Sequence, residues 1–280
     1  MHVTLFTPDS SYEEFRHVWE ARIAMYRDLL APHGIGVDPV AWPDAKPGQP
    51  ALASLAWGYH LQPARWDALL AGWPDDAPLL NPPSVLRWNT DKIYLADLAA
   101  AGVATVPTHF AEIAHDEALA AARAEFGVEE LVVKPRVSAA AASTGRVRPG
   151  DAAPNLAGAM IQPFLPSVQD AGELSIFYFG GKRAHAVRKV AAAGDFRVQR
   201  EYGGAFSVVE PEAAEIAVAE AALAATPESP FYARVDLIPG ADGRPLVMEL
   251  ELIEPDLYLD LIPDRGADFA ALLAERLRAH

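Results

Sequence analysis

Two stretches near the C-terminus decide how this chain is read: Phe231-Tyr232-Ala233-Arg234-Val235-Asp236-Leu237 and Leu246-Val247-Met248-Glu249-Leu250-Glu251-Leu252. Side chains alternate across a β-strand. In the first stretch Arg234 and Asp236 therefore share one face, with Ala233, Val235 and Leu237 on the other. In the second, Glu249 and Glu251 oppose an apolar face of Leu246, Met248, Leu250 and Leu252. If Ala241-Asp242-Gly243-Arg244 is a four-residue turn, Asp236 pairs with Glu249 and Arg234 with Glu251. Three carboxylates and one arginine then lie on one sheet face. Like charges opposite each other across strands repel, and oxygen-ligated Mg2+ compensates them naturally. The same alternation also describes the solvated, charged side of an antiparallel sheet.

The rest of the sequence limits the chemistry. A chain of 280 residues, 51% apolar and 22% charged, can bury a core and has room for about two domains. It has no cysteine, which excludes disulfides, thiolate metal sites, iron–sulfur clusters and a cysteine nucleophile. No apolar run approaches the ~18 residues of a membrane helix, and the opening residues do not read as a signal peptide, so a cytoplasmic protein is expected. The net charge of −15 argues against nucleic-acid and anionic-membrane partners. Residues 131–200 nonetheless carry ten Lys/Arg against four Asp/Glu. A basic island in an acidic protein suits a small anionic ligand; solvated hairpin charges are the other reading. Within it, Lys134, Lys189 and Arg197 can neutralise phosphate, and the small-residue loop 137–145 can fold its amides over one. The usual Gly-rich nucleotide fingerprints are absent. No histidine pair has zinc-ligand spacing, and His185 reads as a packing or hydrogen-bonding residue.

Working outward, a strand is expected at 2–7, and Ser11-Tyr12-Glu13-Glu14 has the spacing of a capping box. The helix it opens runs to about Leu30 on Phe15, Val18, Trp19, Met25, Tyr26 and Leu29. Strands at 35–42 and 52–57 and a helix near 64–71 complete a small strand-helix-strand unit, with Trp57-Gly58-Tyr59-His60 as a pocket candidate. Pro82-Pro83 marks a boundary, since prolines block helix continuation. A helix from Asn89 or Thr90 to Gly102, a strand at 103–110, a helix at 115–126 and a strand at 130–134 follow. Gly180-Gly181 signals a hairpin, a helix near 211–224 precedes the decisive pair of strands, and a last helix begins near 267.

In this order, Asn89-Thr90-Asp91-Lys92, Val132-Val133-Lys134-Pro135 with its small-residue loop, Met160-Ile161-Gln162-Pro163-Phe164-Leu165, Gly172-Glu173-Leu174-Ser175, Ala233-Arg234-Val235-Asp236 and Met248-Glu249-Leu250-Glu251 resemble the ATP-grasp superfamily. The branch is that of carboxylate–amine ligases, and the likeness spans about 81–260. The stretch 177–204, with Arg188-Lys189-Val190 and Gly194-Asp195-Phe196-Arg197-Val198-Gln199, resembles a bacterial subgroup. That subgroup is related to glutathione synthetase and to the cyclo-ligase that closes the cycloserine ring from O-ureidoserine.

The resemblance implies an α/β (α+β) ATP-grasp fold. A substrate-side domain would occupy 1–80, a central subdomain 81–165 and a catalytic subdomain 166–280, the last two gripping the nucleotide between antiparallel sheets. It implies that Lys92 and Lys134 contact the nucleotide phosphates under a loop that includes Ser138, Ser143 and Thr144. Gln162, Pro163, Phe164 and Leu165 would form the adenine-reading hinge, Gln169 or Asp170 the ribose contact, and Glu173 a further part of the nucleotide site. Asp236 and Glu249 would hold two Mg2+ ions, Glu249 bridging, with Mn2+ able to substitute. Glu251 stands where many members have asparagine and adds charge to that set. Arg234 would stabilise an oxyanion, with Lys189 and Arg197 near the transferred phosphoryl group. The implied enzyme, a monomer or homodimer, activates a small carboxylate, an amino acid or its derivative, as an acyl phosphate. An amine or internal nitrogen attacks, releasing ADP and phosphate. A phosphotransferase and a non-catalytic nucleotide-binding module are the alternatives; the joint presence of Lys92, Lys134, Asp236 and Glu249 speaks against the second.

Overall fold

The computed structural model describes residues 1–74, 76–139, 143–191 and 203–279. A parallel sheet opens the chain. Strand β1 (His2–Thr7), helix α1 (Arg16–Leu30) and strand β2 (Gly36–Ala41) form a βαβ unit, to which β3 (Ala51–Leu52), α2 (Pro63–Ala71) and β4 (Leu79–Leu80) are added in the order β2-β1-β3-β4. The capping box expected at Ser11 is not formed. Ser11 donates to Asp9 and Glu13 pairs with Arg16, so the helix starts only at Arg16, entered through Phe15 in the left-handed region (φ 54°). The strand expected over 52–57 ends at Leu52.

The two prolines at 82 and 83 start a helix instead of blocking one. A proline in the first turn lacks only a donor that has no intrahelical partner, and α3 (Pro83–Thr90) begins on Pro83. The single helix expected up to Gly102 is broken at Asp91, whose backbone is extended and whose carboxylate accepts from Ile93 N; α4 (Tyr94–Ala100) follows. The strand expected from 103 begins at His109. Strand β5 (His109–Ala114), helix α5 (Asp116–Phe126) and strands β6 (Leu131–Pro135), β7 (Gly145–Val147) and β8 (Leu156–Pro163) form an antiparallel sheet in the order β5-β8-β6-β7.

A third, antiparallel sheet follows the short helix α6 (Ser167–Asp170). It consists of β9 (Glu173–Phe179), β10 (Lys182–Val190), β11 (Ala205–Val208), β12 (Tyr232–Pro239) and β13 (Pro245–Glu251), in the order β11-β10-β9-β12-β13. Helix α7 (Ala213–Ala224) precedes β12 and α8 (Ala267–Arg278) closes the chain. Alternation buries both faces of this sheet. Ile176, Tyr178, Ala233, Val235 and Leu237 pack with Ala219 and Ala222 of α7 and with Tyr94 and Leu98 of α4. Phe177, Phe179 and Tyr232 pack instead with Val3 and Leu5 of β1, Tyr26 of α1 and Phe269 and Leu273 of α8. His185 stacks on Phe177 and shares a hydrogen-bonding contact of 3.0 Å with the carbonyl of Leu257, the packing role its sequence context suggested.

The decisive hairpin has the expected partners at the charged positions, reached by a different route. Pro239 pairs with Pro245 around a loop of residues 240–244, one longer than the four-residue turn, and a β-bulge between Asp236 and Leu237 makes up the difference. Asp236 thus stands opposite Glu249 and Arg234 opposite Glu251. Met248 is the extra residue of the bulge. Beyond it the faces exchange, so Val247 enters the core while Met248 turns to the cavity described below.

β13 is an edge strand, and its outer side is closed by side chains. Tyr94 Oη accepts from Leu250 N (3.0 Å), and Asn89 donates to Leu250 O (2.7 Å) and accepts from Leu252 N (2.9 Å). Asn81, 0% exposed, donates to the carbonyls of Leu252 (2.8 Å) and Tyr232 (2.9 Å) and accepts from Phe231 N and Tyr232 N. Asn81→Ala leaves these backbone groups buried and unpaired, at about 1–3 kcal/mol each. Urea unfolding should show a loss on the order of 3 kcal/mol or more; a loss under about 1 kcal/mol would contradict the clamp.

Candidate active site

The charged face of the third sheet is buried. Asp236 is 1% exposed and Arg234 8%, which rules out the solvated-face reading. A carboxylate so placed needs cations. Arg234 supplies one from two residues away, with Nη2 2.9 Å and Nε 3.1 Å from Asp236 Oδ2, and the same guanidinium also donates to Glu251. Lys189 of β10 supplies the other, 3.3 Å from Asp236 Oδ1, and pairs in turn with Glu173 of β9; Ser175 donates to Asp236 as well. Burial opposes ionisation of Asp236, but Arg234 and Lys189 outweigh it and hold its carboxyl well below the usual range. Glu173, pushed by burial to about 7, is the weaker acid of the pair on Lys189.

Backbone placement makes this contact possible. Glu173 lies directly across from Lys189, and Gly172 (φ +72°) lets β9 begin against the Lys189 backbone. A Cβ at Gly172 would stand 2.2 Å from the Lys189 carbonyl oxygen.

The break at Asp91 turns Lys92 inward. The Asp91 carboxylate takes Arg136 Nε at 3.0 Å, and Lys92 N donates to Arg136 O. Lys92 Nζ then donates to Ser138 O (2.7 Å) and lies 3.3 Å from Glu249 Oε1. Lys134 of β6 is buried beside Glu249 and Lys92, and burial lowers its pKa. Lys92 and Lys134 overcome the burial penalty on Glu249 and keep its carboxyl low. For Glu251 the balance reverses. Burial, with Glu249 and Asp236 nearby, raises its pKa well above the carboxylate range despite Arg234. One oxygen from each of Asp236, Glu249 and Glu251 lies within 4.8 Å of the others. These are hard oxygen donors gathered at one spot, and they fit Mg2+, whose bonds of about 2.1 Å small rotamer changes can close.

All this borders a cavity of about 290 Å3. Of the residues expected from the sequence, Lys92, Lys134, Ser138, Thr144, Gln162, Pro163, Phe164, Leu165, Glu173, Lys189, Arg234, Asp236, Glu249 and Glu251 line it, as do Trp57, Gly58 and Tyr59. Gln162 is oriented by its donation to Thr108 Oγ1 (2.9 Å), and Phe164 lies under the Arg146 guanidinium at 3.6 Å. Gln169 and Asp170 are exposed on α6, and it is Val168 that reaches the cavity; Ser143 is exposed and does not line it. Arg197 and the 194–199 stretch lie outside the described residues.

Sequence reasoning missed the wall contributed by Tyr12, Phe15, Val18 and Arg22, together with Glu254, Asp256 and Tyr258 beyond β13. Helical periodicity placed Phe15 and Val18 on one helical stripe without marking them as cavity residues; the helix starts at Arg16, and both residues line the cavity. Glu254 was legible as a third acid at the end of the Glu249-Leu250-Glu251 run but shares no face with it in a regular strand. Burial pushes the Glu254 carboxyl up to about 8, with Lys92 and Arg234 opposing and Glu249 reinforcing. A carboxyl whose folded pKa is raised keeps one more proton folded than unfolded between about pH 4.5 and 8, so stability falls as pH rises through that window. Melting curves of ligand-free protein should therefore show Glu254→Gln gaining on the wild type from pH 5 to pH 8. A constant difference would refute the desolvation of this half-buried acid.

No known family's sequence profile matches the chain. The cycloserine biosynthesis protein DcsG of Streptomyces lavendulae is 36% identical over 230 residues, 71% of this chain and 74% of that protein. The crystal structure of D-cycloserine synthetase DcsG superposes with a TM-score of 0.81 at 27% identity, over 99% of this chain and 100% of the other. The ATP-grasp ligase PsnB, in a complex with Mg and ADP, shares the fold at a TM-score of 0.69 and 16% identity, covering 99% and 97% of the two chains. The chain belongs to the ATP-grasp ligases, in the branch that includes the DcsG proteins of cycloserine biosynthesis, and is an ADP-forming enzyme that makes a C–N bond.

Proposed function

We propose that this ligase activates a small carboxylate, an amino acid or its derivative, as an acyl phosphate, which an amine or an internal nitrogen of the same molecule then attacks. The observation that carries the reading is the meeting of Asp236, Glu249 and Glu251 with Lys92, Lys134, Lys189 and Arg234 around one cavity. A carboxylate is a poor electrophile, and phosphorylation gives it a leaving group. The work asked of the protein is positional and electrostatic.

Lys92 and Lys134 face the wall of Ser138 and Thr144, where they can neutralise phosphate oxygens, and Gln162, Pro163, Phe164 and Leu165 offer the seat for the base. Asp236, Glu249 and Glu251 would hold Mg2+, two ions being accommodated if Glu249 bridges. When bound, the metal supplies positive charge to the phosphoryl oxygens. Arg234, fixed by Asp236 and Glu251, keeps its guanidinium at the cavity wall for the oxyanion that develops when nitrogen adds to the acyl carbon. Lys189, shared between Asp236 and Glu173, has the same capacity toward the transferred phosphoryl group. In this reading the domains are 1–80 on the substrate side, 81–165 and 166–280, one per sheet, in a cytoplasmic enzyme.

Phosphate release with a panel of carboxylates and amines tests the reaction class. ADP and phosphate should appear together, and hydroxylamine should divert part of the activated carboxylate to a hydroxamate. AMP as product would rule out the scheme, and a stable phosphorylated product with no free phosphate would make the enzyme a kinase. Glu249→Gln should abolish turnover with the fold intact, because a neutral amide cannot replace a carboxylate that would hold Mg2+. Arg234→Lys, which keeps a cation beside Asp236, should slow the chemical step by ~10²- to 10³-fold, the usual effect of losing one oxyanion donor, with ATP affinity nearly unchanged.

A further inference from the structure

The turn at residues 256–258, beyond β13, is held from α1, β10 and β12 at once. The Asp256 carboxylate accepts from Arg22 Nη2 of α1 at 2.5 Å and from Tyr258 N at 3.0 Å. The Leu257 carbonyl accepts from His185 Nε2 of β10 at 3.0 Å. Tyr258 lies in the left-handed region (φ 47°), a conformation that a bulky residue keeps only where its surroundings impose it. Two contacts carry this turn to Arg234. The Asp256 carbonyl accepts from Arg234 Nη1 at 3.5 Å, and the Tyr258 ring centroid lies 6.0 Å from the guanidinium carbon. Asp236 and Glu251 occupy Nε and Nη2 of Arg234, so Nη1 is the edge left to a ligand in the cavity. Its hydrogen-bond partner among the described residues is the carbonyl of Asp256.

We propose that Arg22 is a positioning residue for the ligase chemistry: through Asp256 it sets the turn at 256–258, and through that turn the Nη1 edge of Arg234. The inference rests on the ligase reading, in which Arg234 meets the oxyanion, and adds to it a residue of the first, substrate-side unit. Arg22 is suited to this and to little else in the fold. Among the described residues it hydrogen-bonds to Asp256 alone, and its Nε is buried without a partner. Leaving a buried donor unpaired costs stability, so packing does not explain why a guanidinium stands here. The side chains of the pair are 21% and 23% exposed, and a partly buried ion pair is screened less by salt than an exposed one. Catalysis at full rate would then require α1 to be seated against the turn, which makes docking of the substrate-side unit a condition for alignment of Arg234.

The test is a double-mutant cycle on the whole protein, read as phosphate release with ATP, Mg2+ and O-ureidoserine, or the most active acid of the panel above if that probe is silent. Arg22→Met keeps the aliphatic stem and removes the contact. It should lower kcat by ~10- to 10²-fold, as a misplaced group remote from the chemistry does, with KM for the acid and ADP–Mg2+ affinity within about twofold of wild type. Arg22→Lys, which can still meet Asp256, should recover part of the loss. In an Arg234→Lys background, Arg22→Met should cost less than about twofold more, because the edge it positions is already gone. Asp256→Asn, which keeps an acceptor for Tyr258 N, should show the same dependence on Arg234 and replaces Arg22→Met if that variant does not fold. An unchanged kcat, an equal loss in both backgrounds, or a rise in KM alone, which would make Arg22 a substrate contact, overturns the proposal. Hydrogen exchange without substrate separates it from the underlying reading. Arg22→Met should speed exchange over residues 253–262 and leave β6 and β8 unaltered. That result in a protein whose wild type releases no phosphate with any acid would remove the ligase reading and leave the hold of Arg22 on the turn. Unchanged exchange beside normal phosphate release would do the opposite.

Discussion

An ionised aspartate at the centre of an apolar sheet is the constraint around which the third sheet is arranged. Asp236 is nearly inaccessible, and an isolated buried carboxylate is among the costliest groups a protein can hold. Each neighbouring strand contributes to its relief. Strand β9 gives Ser175 and β10 gives Lys189, while β12 supplies Arg234 itself. Those partners bring their own counter-charges, Glu173 and Glu251, so a chain of alternating sign runs across the sheet. Such a network favours one arrangement, because shifting any strand by one residue would turn its charge to the opposite, apolar face.

Strand β13, which carries the other two metal-type carboxylates, has no sixth strand to pair with. Its outer groups are satisfied by Asn81, Asn89 and Tyr94, and by the segment Ala104–Val106 that runs beside Val247. Polar side chains here do the work of a strand. They protect an otherwise open edge and fix where Glu249 and Glu251 stand relative to Lys92, which follows Asn89 by three residues. The connection between the first sheet and the site is therefore built from hydrogen bonds as much as from apolar contact.

The hairpin and its charged pairs were legible in the sequence because period-two alternation and residue type carry that information locally, and the family resemblance supplied much of the half of the cavity lining that was anticipated. Some of what escaped depends on where a helix begins or a strand bulges, and the rest lies in the segment after β13, where no period applies. Phe15 and Val18 fitted a helical stripe, yet the helix starts after Phe15. Met248 fitted an alternating strand, yet the bulge turned it around while preserving the pairing of Asp236 with Glu249. Pro82-Pro83 suggested a break in the chain but not that a helix starts there, on Pro83. Asn89 matched a family motif without revealing that its amide serves the backbone of a strand more than 150 positions away, as the contact with Leu250 shows.

One core joins the two ends of the chain: Val3, Leu5, Tyr26 and Leu30 pack with Phe269, Leu273 and Leu277 of the last helix. During synthesis the first sheet leaves the ribosome with this face uncovered, and it stays so until the helix at 267–278 has emerged. Its closure depends on contacts of maximal sequence separation, which fold slowly and leave apolar surface exposed in the interval. A chain cut short before residue 267 would lack more than a terminal helix, since the cavity would lose the support of one of its sides.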